Sequence, residues 1–579
     1  MKTRNNLSWK IGGEAGFGIK SAGMMFGKIF MKAGYEIFDY TEYPSLIRGG
    51  YNTFQLMVDV ESAKSVTYHV DILIALNQQT ITESLDEVSV NGVVIYDSAK
   101  VKLSPAKAKT KKINALGLPL GELAKQAGNQ LMRNVVAIGA TLALVDQNLT
   151  IANRVVKNNF KSKGQKIVDQ NIKALKLGFD YTKQNYKQDF ICCLKNLKAN
   201  DNILISANES LALGSLAAGL NFYVAYPMTP SSSILHFLAS TAVKTGTVVK
   251  HAEDEIGVIN MALGAANAGA RTMVATSGGG IALMTESLGL AALTETAIVM
   301  VNVQRVGPAT GMPTWTEQAD LQFMIHAAPA DFPRIIIAPG DTQEAFEIGA
   351  EAMNIAEIYQ TPVIIISDKL IAEGNTTVSK FSTKNIKINR GKLLNQAQLS
   401  KIKNYRRYKL SADGISPRTI PGMKGGLYIA NSDEHDDYGF SCEESKNRID
   451  QVHKRQAKLD NFAKKMPQPK IYGNPKAKKT VVFWGSNKGV LLDAYNRLER
   501  KYQQKIKIMQ LQYIWPFPTK FVTDVLTKSK DILLIENNSN AQLGNLIAQE
   551  TGILIKNKFL KYDGRPFYRE EIIQKLKQF

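Results

Sequence analysis

Residues 221–232 read NFYVAYPMTPSS. The run FYVA is apolar and β-prone, the composition of a strand entering a sheet interior. Pro227 and Pro230 then fix φ and remove backbone donors, so the strand ends and the turn holds one shape. Such a turn presents Thr229, Ser231 and Ser232 at the carboxyl end of a strand, where open α/β sheets place their ligands. A competing reading is helix capping: Ser231 or Ser232, ahead of ILHFLAST, is a good N-cap.

Outward from this turn the same grammar recurs. Within 203–372, RTMVAT, AIVMVNVQ, RIIIAP and PVIIISD are further short apolar runs, separated by helix-like stretches such as EIGVINMALGAANAGA. This alternation predicts an α/β unit with a parallel sheet. Residues 1–190 alternate likewise (LSWKIGG, YEIFDYTEY, VDILIAL, GVVIYD) and read as a parallel α/β unit, followed by a connector at 191–202. Residues 373–475 turn polar and basic and read as a long connection with one exposed helix, EESKNRIDQVHKRQAKLDNF. A third α/β unit, with KTVVFWGS, KIKIMQLQY and DILLIEN, spans 476–579.

The whole chain has 579 residues, enough for about three or four domains. It has no run of eighteen apolar residues and its first residues carry no apolar signal core, which predicts a cytoplasmic protein without a membrane span. The three cysteines, Cys192, Cys193 and Cys442, supply neither a disulfide framework nor a CxxC knuckle, and the six histidines do not cluster. The chain is therefore expected to hold no metal of its own. The net charge of +21 is mostly lysine and favours acidic partners, an acidic protein as well as a nucleic acid; without the aromatic interleaving or motifs of a nucleic-acid binder, nucleic-acid binding is the minority reading.

Three further stretches carry chemistry. IGGEAGFGIKSAG (11–23) places Gly13, Gly16 and Gly18 between a strand and a helix, a turn open to a phosphate or to tight packing. Nearby SLIRGG puts Arg48 beside two glycines, suited to a ligand or a subunit neighbour. HAEDEIGVINMALGAANAGART (251–272) opens a small-residue helix with Glu253, Asp254 and Glu255; dipole compensation uses one or two acids, leaving one for chemistry. In 275–321, Gly278 and Gly279 permit close approach after a strand, and a long Gly/Pro/Thr segment carries Arg305, Thr310, Thr314 and Trp315 toward the 226–232 turn.

In this order and spacing, YPMTPSS, EDEIGVINMALGAANAG, TSGGG and QRVGPATGMPTWTEQADL resemble the α subunit of 2-oxoacid:ferredoxin (acceptor) oxidoreductases. GGEAGFGIKSAG and SLIRGG resemble that family's γ subunit, fused ahead of α in some members; DGISPRTIPG, SDEHDDYG and LKYDGRPF are similar to words of the same fused chains. The resemblance implies a γ-like domain, a pyrimidine-type thiamine diphosphate domain and a transketolase C-terminal-like domain. It implies thiamine diphosphate shared with a β subunit that holds Mg²⁺ and a [4Fe–4S] cluster. CoA is then the co-substrate, ferredoxin the acceptor and (αβ)₂ the assembly. Glu255 matches the carboxylate on the cofactor's pyrimidine, with Glu253 in reserve; Tyr226, Pro227, Gly278 and Gly279 line the cofactor; Thr229, Arg305, Thr314 and Trp315 meet the substrate. Gly13, Gly16, Gly18 and Arg48 fall to CoA or an interface.

Where many relatives have Lys or Arg, this chain has Trp315. Either another basic residue such as Arg305 takes that role, or the substrate is less polar than 2-oxoglutarate, for instance branched-chain, aromatic or short. Alternatives to the main reading are an indolepyruvate or branched-chain oxidoreductase subunit, and a non-catalytic scaffold of the same fold.

Overall fold

Runs of β-branched residues bounded by turns form the strands of three larger sheets. The computed structural model describes residues 3–46, 49–186, 193–194 and 197–579. The middle sheet has seven strands in the order Val248–His251, Phe222–Ala225, Thr272–Thr276, Ile298–Gln304, Pro362–Asp368, Ile335–Ile337 and Tyr513–Trp515. The first six run parallel and the last pairs antiparallel. Strands Thr272–Thr276 and Ile298–Gln304 are buried along their whole length, which is why they read as continuous apolar runs and not as alternating ones.

The N-terminal sheet has eight strands, ordered Asn114–Leu118, Val88–Asp97, Val70–Ala75, Asn6–Gly13, Asn52–Asp59, Glu36–Glu42, Asn375–Val378 and Ile203–Ser206. It is mixed, a correction to the expected parallel sheet: Asn52–Asp59 pairs antiparallel with both Asn6–Gly13 and Glu36–Glu42. The connection between Glu36–Glu42 and Asn52–Asp59 spans only residues 43–51, and so short a link returns the chain antiparallel. Strand pairing also runs across the borders expected from composition. Ile203–Ser206 and Asn375–Val378 complete the N-terminal sheet, and Tyr513–Trp515 completes the middle one. The third sheet, Lys470–Gly473, Ile506–Leu511, Lys479–Trp484, Asp531–Glu536 and Asn557–Leu560, is parallel except at Lys470–Gly473.

The polar helix Ser445–Ala463 is not exposed as expected. Gln451, Lys454, Lys458, Leu459 and Phe462, spaced three and four apart, form one buried face. Lys454 Nζ and Lys458 Nζ pair with the two oxygens of fully buried Glu295 at 2.5 and 2.6 Å, and Arg407 Nη2 donates to the Glu295 carbonyl at 2.9 Å. Burial pushes the Glu295 carboxyl up, but Lys454, Lys458 and Arg407 outweigh it and hold it far below the usual carboxylate range. The helix reads as exposed because its buried groups are cations whose partner lies far away in sequence.

The N-terminal and middle units meet at Asp39, whose carboxylate accepts from Asn375 N at 3.0 Å and Asn375 Nδ2 at 2.9 Å. Burial raises its pKa from 3.8 to about 7, against those hydrogen bonds and the attraction of Lys20 and Lys369. The folded chain thus holds a proton that the unfolded chain has released. The contribution to stability is full below pH 3.8 and is lost as pH rises through about 7. The thermal midpoint of wild type should therefore fall between pH 4 and pH 7 relative to that of Asp39→Asn, whose profile should be flatter over the same range. Parallel profiles would show that Asp39 is already ionised there.

Candidate active site at the carboxyl edge of the middle sheet

Val248–His251, Phe222–Ala225, Thr272–Thr276 and Ile298–Gln304 are consecutive parallel neighbours, so their carboxyl ends share one edge. That edge receives, in turn, the approach to Glu255, the 226–231 turn, the glycines after Ser277, and Arg305. The expected convergence of Glu255, Tyr226, Pro227, Thr229, Gly278, Gly279 and Arg305 follows from the strand register.

The turn is held from outside. Arg305 Nη1 donates to the Thr229 carbonyl at 2.8 Å. Asn208 Nδ2, on the helix Ala207–Ala217, donates to the Pro230 carbonyl at 3.0 Å and to Ser233 Oγ at 2.8 Å. Ser231 sits at the N-cap position of the helix Ser232–Thr245 but does not cap it; its hydroxyl donates back to the Met228 carbonyl at 2.7 Å. Capping is therefore not the reason for the serines. The Thr229–Pro230 peptide is cis. Tyr226 is exposed at the rim, its ring centroid 6.1 Å from that of His251.

The three acids before the small-residue helix Glu255–Asn267 separate cleanly. Asp254 is the cap, its carboxylate accepting from Gly257 N at 2.7 Å, and Glu253 is exposed. Glu255 is 4% exposed, and its Oε1 is buried without a hydrogen-bond partner among the described residues. A buried carboxylate oxygen left unpaired is costly unless something outside the chain satisfies it. Gly280 packs beside it: a Cβ there would lie 3.0 Å from Glu255 Cγ and 1.9 Å from Thr276 Oγ1. A Cβ on Gly279 would meet nothing within 4 Å, whereas one on Gly278 would lie 2.5 Å from Asp320 Oδ2.

Asp320 and Asn208 are two participants that the sequence reading missed. Asp320 accepts from Asn302 Nδ2 at 3.0 Å and donates its N–H to Gln304 Oε1 at 2.9 Å. Burial raises the Asp320 carboxyl, opposed by the Asn302 bond and the Arg305 charge. Burial likewise lowers the Arg305 guanidinium, with Asp320 drawing it back. Apart from the bond to Thr229, the Arg305 donors have no partner among the described residues. The signal for Asn208 was its place after the capping serine Ser206, but nothing in its neighbours points to a turn twenty residues on.

Two expected substrate contacts are engaged elsewhere. Thr314, 4% exposed, donates its hydroxyl to the Tyr43 carbonyl at 2.5 Å. Its proton thus ties the 305–320 segment to the N-terminal unit. Trp315 lies under Arg565, whose guanidinium carbon is 3.4 Å from the ring centroid, and Arg565 Nε is 3.4 Å from Glu42 Oε1. The cation nearest the Trp315 ring is thus Arg565, while Arg305 is turned to the Thr229 carbonyl. Gly13, Gly16 and Gly18 lie in the N-terminal unit, before the helix Ile19–Lys32. Gly13 packs against Phe17 and Leu76, while Gly16 and Gly18 have φ of 87° and 73°, which glycine adopts without strain. Arg48 lies outside the described residues, as does Cys192. Among the described residues no group of His, Cys, Asp or Glu is arranged to hold a metal ion, and no helix is long and apolar enough to cross a membrane.

Residues 213–454 match the family described as pyruvate flavodoxin/ferredoxin oxidoreductase, thiamine diP-binding, and residues 8–181 match pyruvate ferredoxin/flavodoxin oxidoreductase. A 2-oxoacid:ferredoxin oxidoreductase subunit alpha of Saccharolobus solfataricus is 32% identical, covering 99% of this chain and 97% of its own. The 2-oxoglutarate oxidoreductase subunit KorA of Mycobacterium tuberculosis is 29% identical over 92% of this chain and 86% of its own. The solved 2-oxoglutarate:ferredoxin oxidoreductase from Magnetococcus marinus, with 2-oxoglutarate, coenzyme A and succinyl-CoA bound, superposes with a TM-score of 0.92 at 30% identity, covering 99% of each chain.

The glycines make a paired test. Gly280→Ala should lower the thermal midpoint, since an added methyl must displace Thr276 and Glu255, at a cost of about 1–3 kcal/mol. Gly279→Ala should leave it unchanged. Equal behaviour of the two variants in a melting experiment would contradict the packing described.

Proposed function

The chain belongs to the 2-oxoacid:ferredoxin oxidoreductase family as an α-type subunit with a γ-like unit ahead of it, and on that premise we propose that Glu255 is its catalytic carboxylate. The reaction is the oxidative decarboxylation of a 2-oxoacid with CoA to acyl-CoA and CO₂, the electrons passing to ferredoxin. Thiamine diphosphate, when bound, supplies a nucleophilic carbon and an electron sink for the departing CO₂. The observation that carries the assignment is the unpartnered, buried Glu255 Oε1 at the head of the small-residue helix. That oxygen fits the aminopyrimidine end, where it would share the proton of a ring nitrogen in a water-poor setting. Tyr226, Pro227, Gly278 and Gly279 border the same edge, and the space beside Gly279 is open.

The substrate carboxylate falls to Arg305 and Thr229. Arg305 is fixed by one bond to the Thr229 carbonyl, which leaves its other N–H groups to receive an anion, and the Thr229 hydroxyl has no partner among the described residues. Thr314 serves as a tether in this reading, and Trp315 forms a wall backed by Arg565.

A second polypeptide completes the site. Ile256, Met261 and Leu283 stand exposed on the two helices that begin at it, and Gly264, Gly279 and Gly289 leave their surroundings open. Apolar residues around a half-built polar site suit a permanent partner. We assign that partner the diphosphate and Mg²⁺ site and the [4Fe–4S] cluster, in an (αβ)₂ assembly working in the cytoplasm with ferredoxin.

Purified with its β-type partner, the Glu255→Gln variant should assemble normally and lose about 10²–10⁴-fold in 2-oxoacid- and CoA-dependent dye reduction. Unchanged activity would favour the non-catalytic scaffold. For the substrate, Arg565→Gln should raise KM for 2-oxoglutarate several-fold relative to 2-oxobutyrate if Arg565 replaces the cation absent at Trp315. An equal effect on both substrates would leave Arg565 as a packing residue and favour a less polar substrate.

A further inference from the structure

The N-terminal unit contains a cavity of about 810 Å³ between the carboxyl half of the helix Ile19–Lys32, the helix Leu149–Phe160 and residues 199–204. Its size is that of a small-molecule site. Three cations line it: Lys28 and Lys32 from the first helix and Arg154 from the second. None of them has an ion pair or hydrogen bond among the described residues. The one carboxylate in the lining, Asp201, pairs with Lys380 at 3.5 Å.

All three cations are exposed along the mouth of the cavity. Lys28 and Lys32 are four residues apart, so their charges stack on one helix face and repel. Arg154 adds a third positive charge from the facing helix. An anion bridging the two helices would remove that repulsion and engage Arg154 through paired N–H donors. The floor is apolar, with Met31 and Val155 both buried, while Asn158 adds an amide at the rim. A ligand matched to these walls has a phosphate at one end and an apolar body at the other.

We propose that this cavity is a binding site for a nucleotide-like phosphate ester. It is not the glycine-rich turn of the same unit: Lys28 lies ten residues beyond Gly18, about 15 Å further along the helix. Residues 199–204 form one wall and run directly into the strand Ile203–Ser206 and the helix carrying Asn208, which holds the Pro230 carbonyl. A ligand gripping that wall therefore bears on the element that braces the 226–231 turn.

The test uses the full chain in its assembled complex, with ADP, inorganic phosphate and anionic phospholipid vesicles as separate probes at low salt. Calorimetry should show ADP binding, weakened about tenfold or more in the combined Lys28→Gln, Lys32→Gln, Arg154→Gln variant, with inorganic phosphate competing. In the wild type, ADP should also slow acylation of Lys28 and Lys32, read by peptide mass mapping, which does not depend on the variant folding. Absence of ADP binding, undiminished binding in the triple variant, or protection of the lysines by vesicles but not by ADP would each overturn the proposal.

Discussion

The parallel hydrogen-bond register of four neighbouring strands is the constraint on which the site depends. Each strand of the set ends at the same edge because Phe222–Ala225 pairs in parallel with both Val248–His251 and Thr272–Thr276, which in turn pairs with Ile298–Gln304. Segments separated by up to eighty residues in sequence are thereby delivered within reach of one another. None of the four needs to recognise the others directly. Their few mutual contacts, such as Arg305 on the Thr229 carbonyl, refine a position that the sheet has already set.

The flanking units steady that edge from two sides. Thr314 is tied to Tyr43, and Trp315 is covered by Arg565, which also faces Glu42, so the long segment after Arg305 is clamped between the N-terminal and C-terminal units. Its apolar and hydroxyl side chains are spent on this clamping. The buried Glu295 with its two lysines does comparable work behind the middle unit, holding the polar helix in place. Removing one partner from such a set leaves an uncompensated charge, which costs more than the intact pair contributes.

The strands and the turn were legible in the sequence because their signals are local. β-Branched runs, paired prolines and glycine clusters constrain φ and ψ wherever they occur. The partition of Glu253, Asp254 and Glu255 was legible only in part: three adjacent acids at a helix start announce a cap and a spare, without saying which is which. The geometry decides it, since only the residue at the first helical position turns into the interior while its neighbour accepts the Gly257 N–H. The mixed pairing of the N-terminal sheet, the strands exchanged between units and the buried face of the lysine-rich helix left no trace in composition.

From its residues alone the chain determines an alternating α/β architecture, a proline-fixed turn at a strand end, an acid-headed helix and too few cysteines for a cluster. These are properties of short segments, set by dihedral preference and side-chain chemistry. Only the tertiary structure decided which acid is buried, that Asn208 braces the turn, that Thr314 is tied to Tyr43, and that a guanidinium from position 565 covers Trp315. Each of those is a contact between residues distant in the chain, and such contacts exist only once the sheets have brought their ends together.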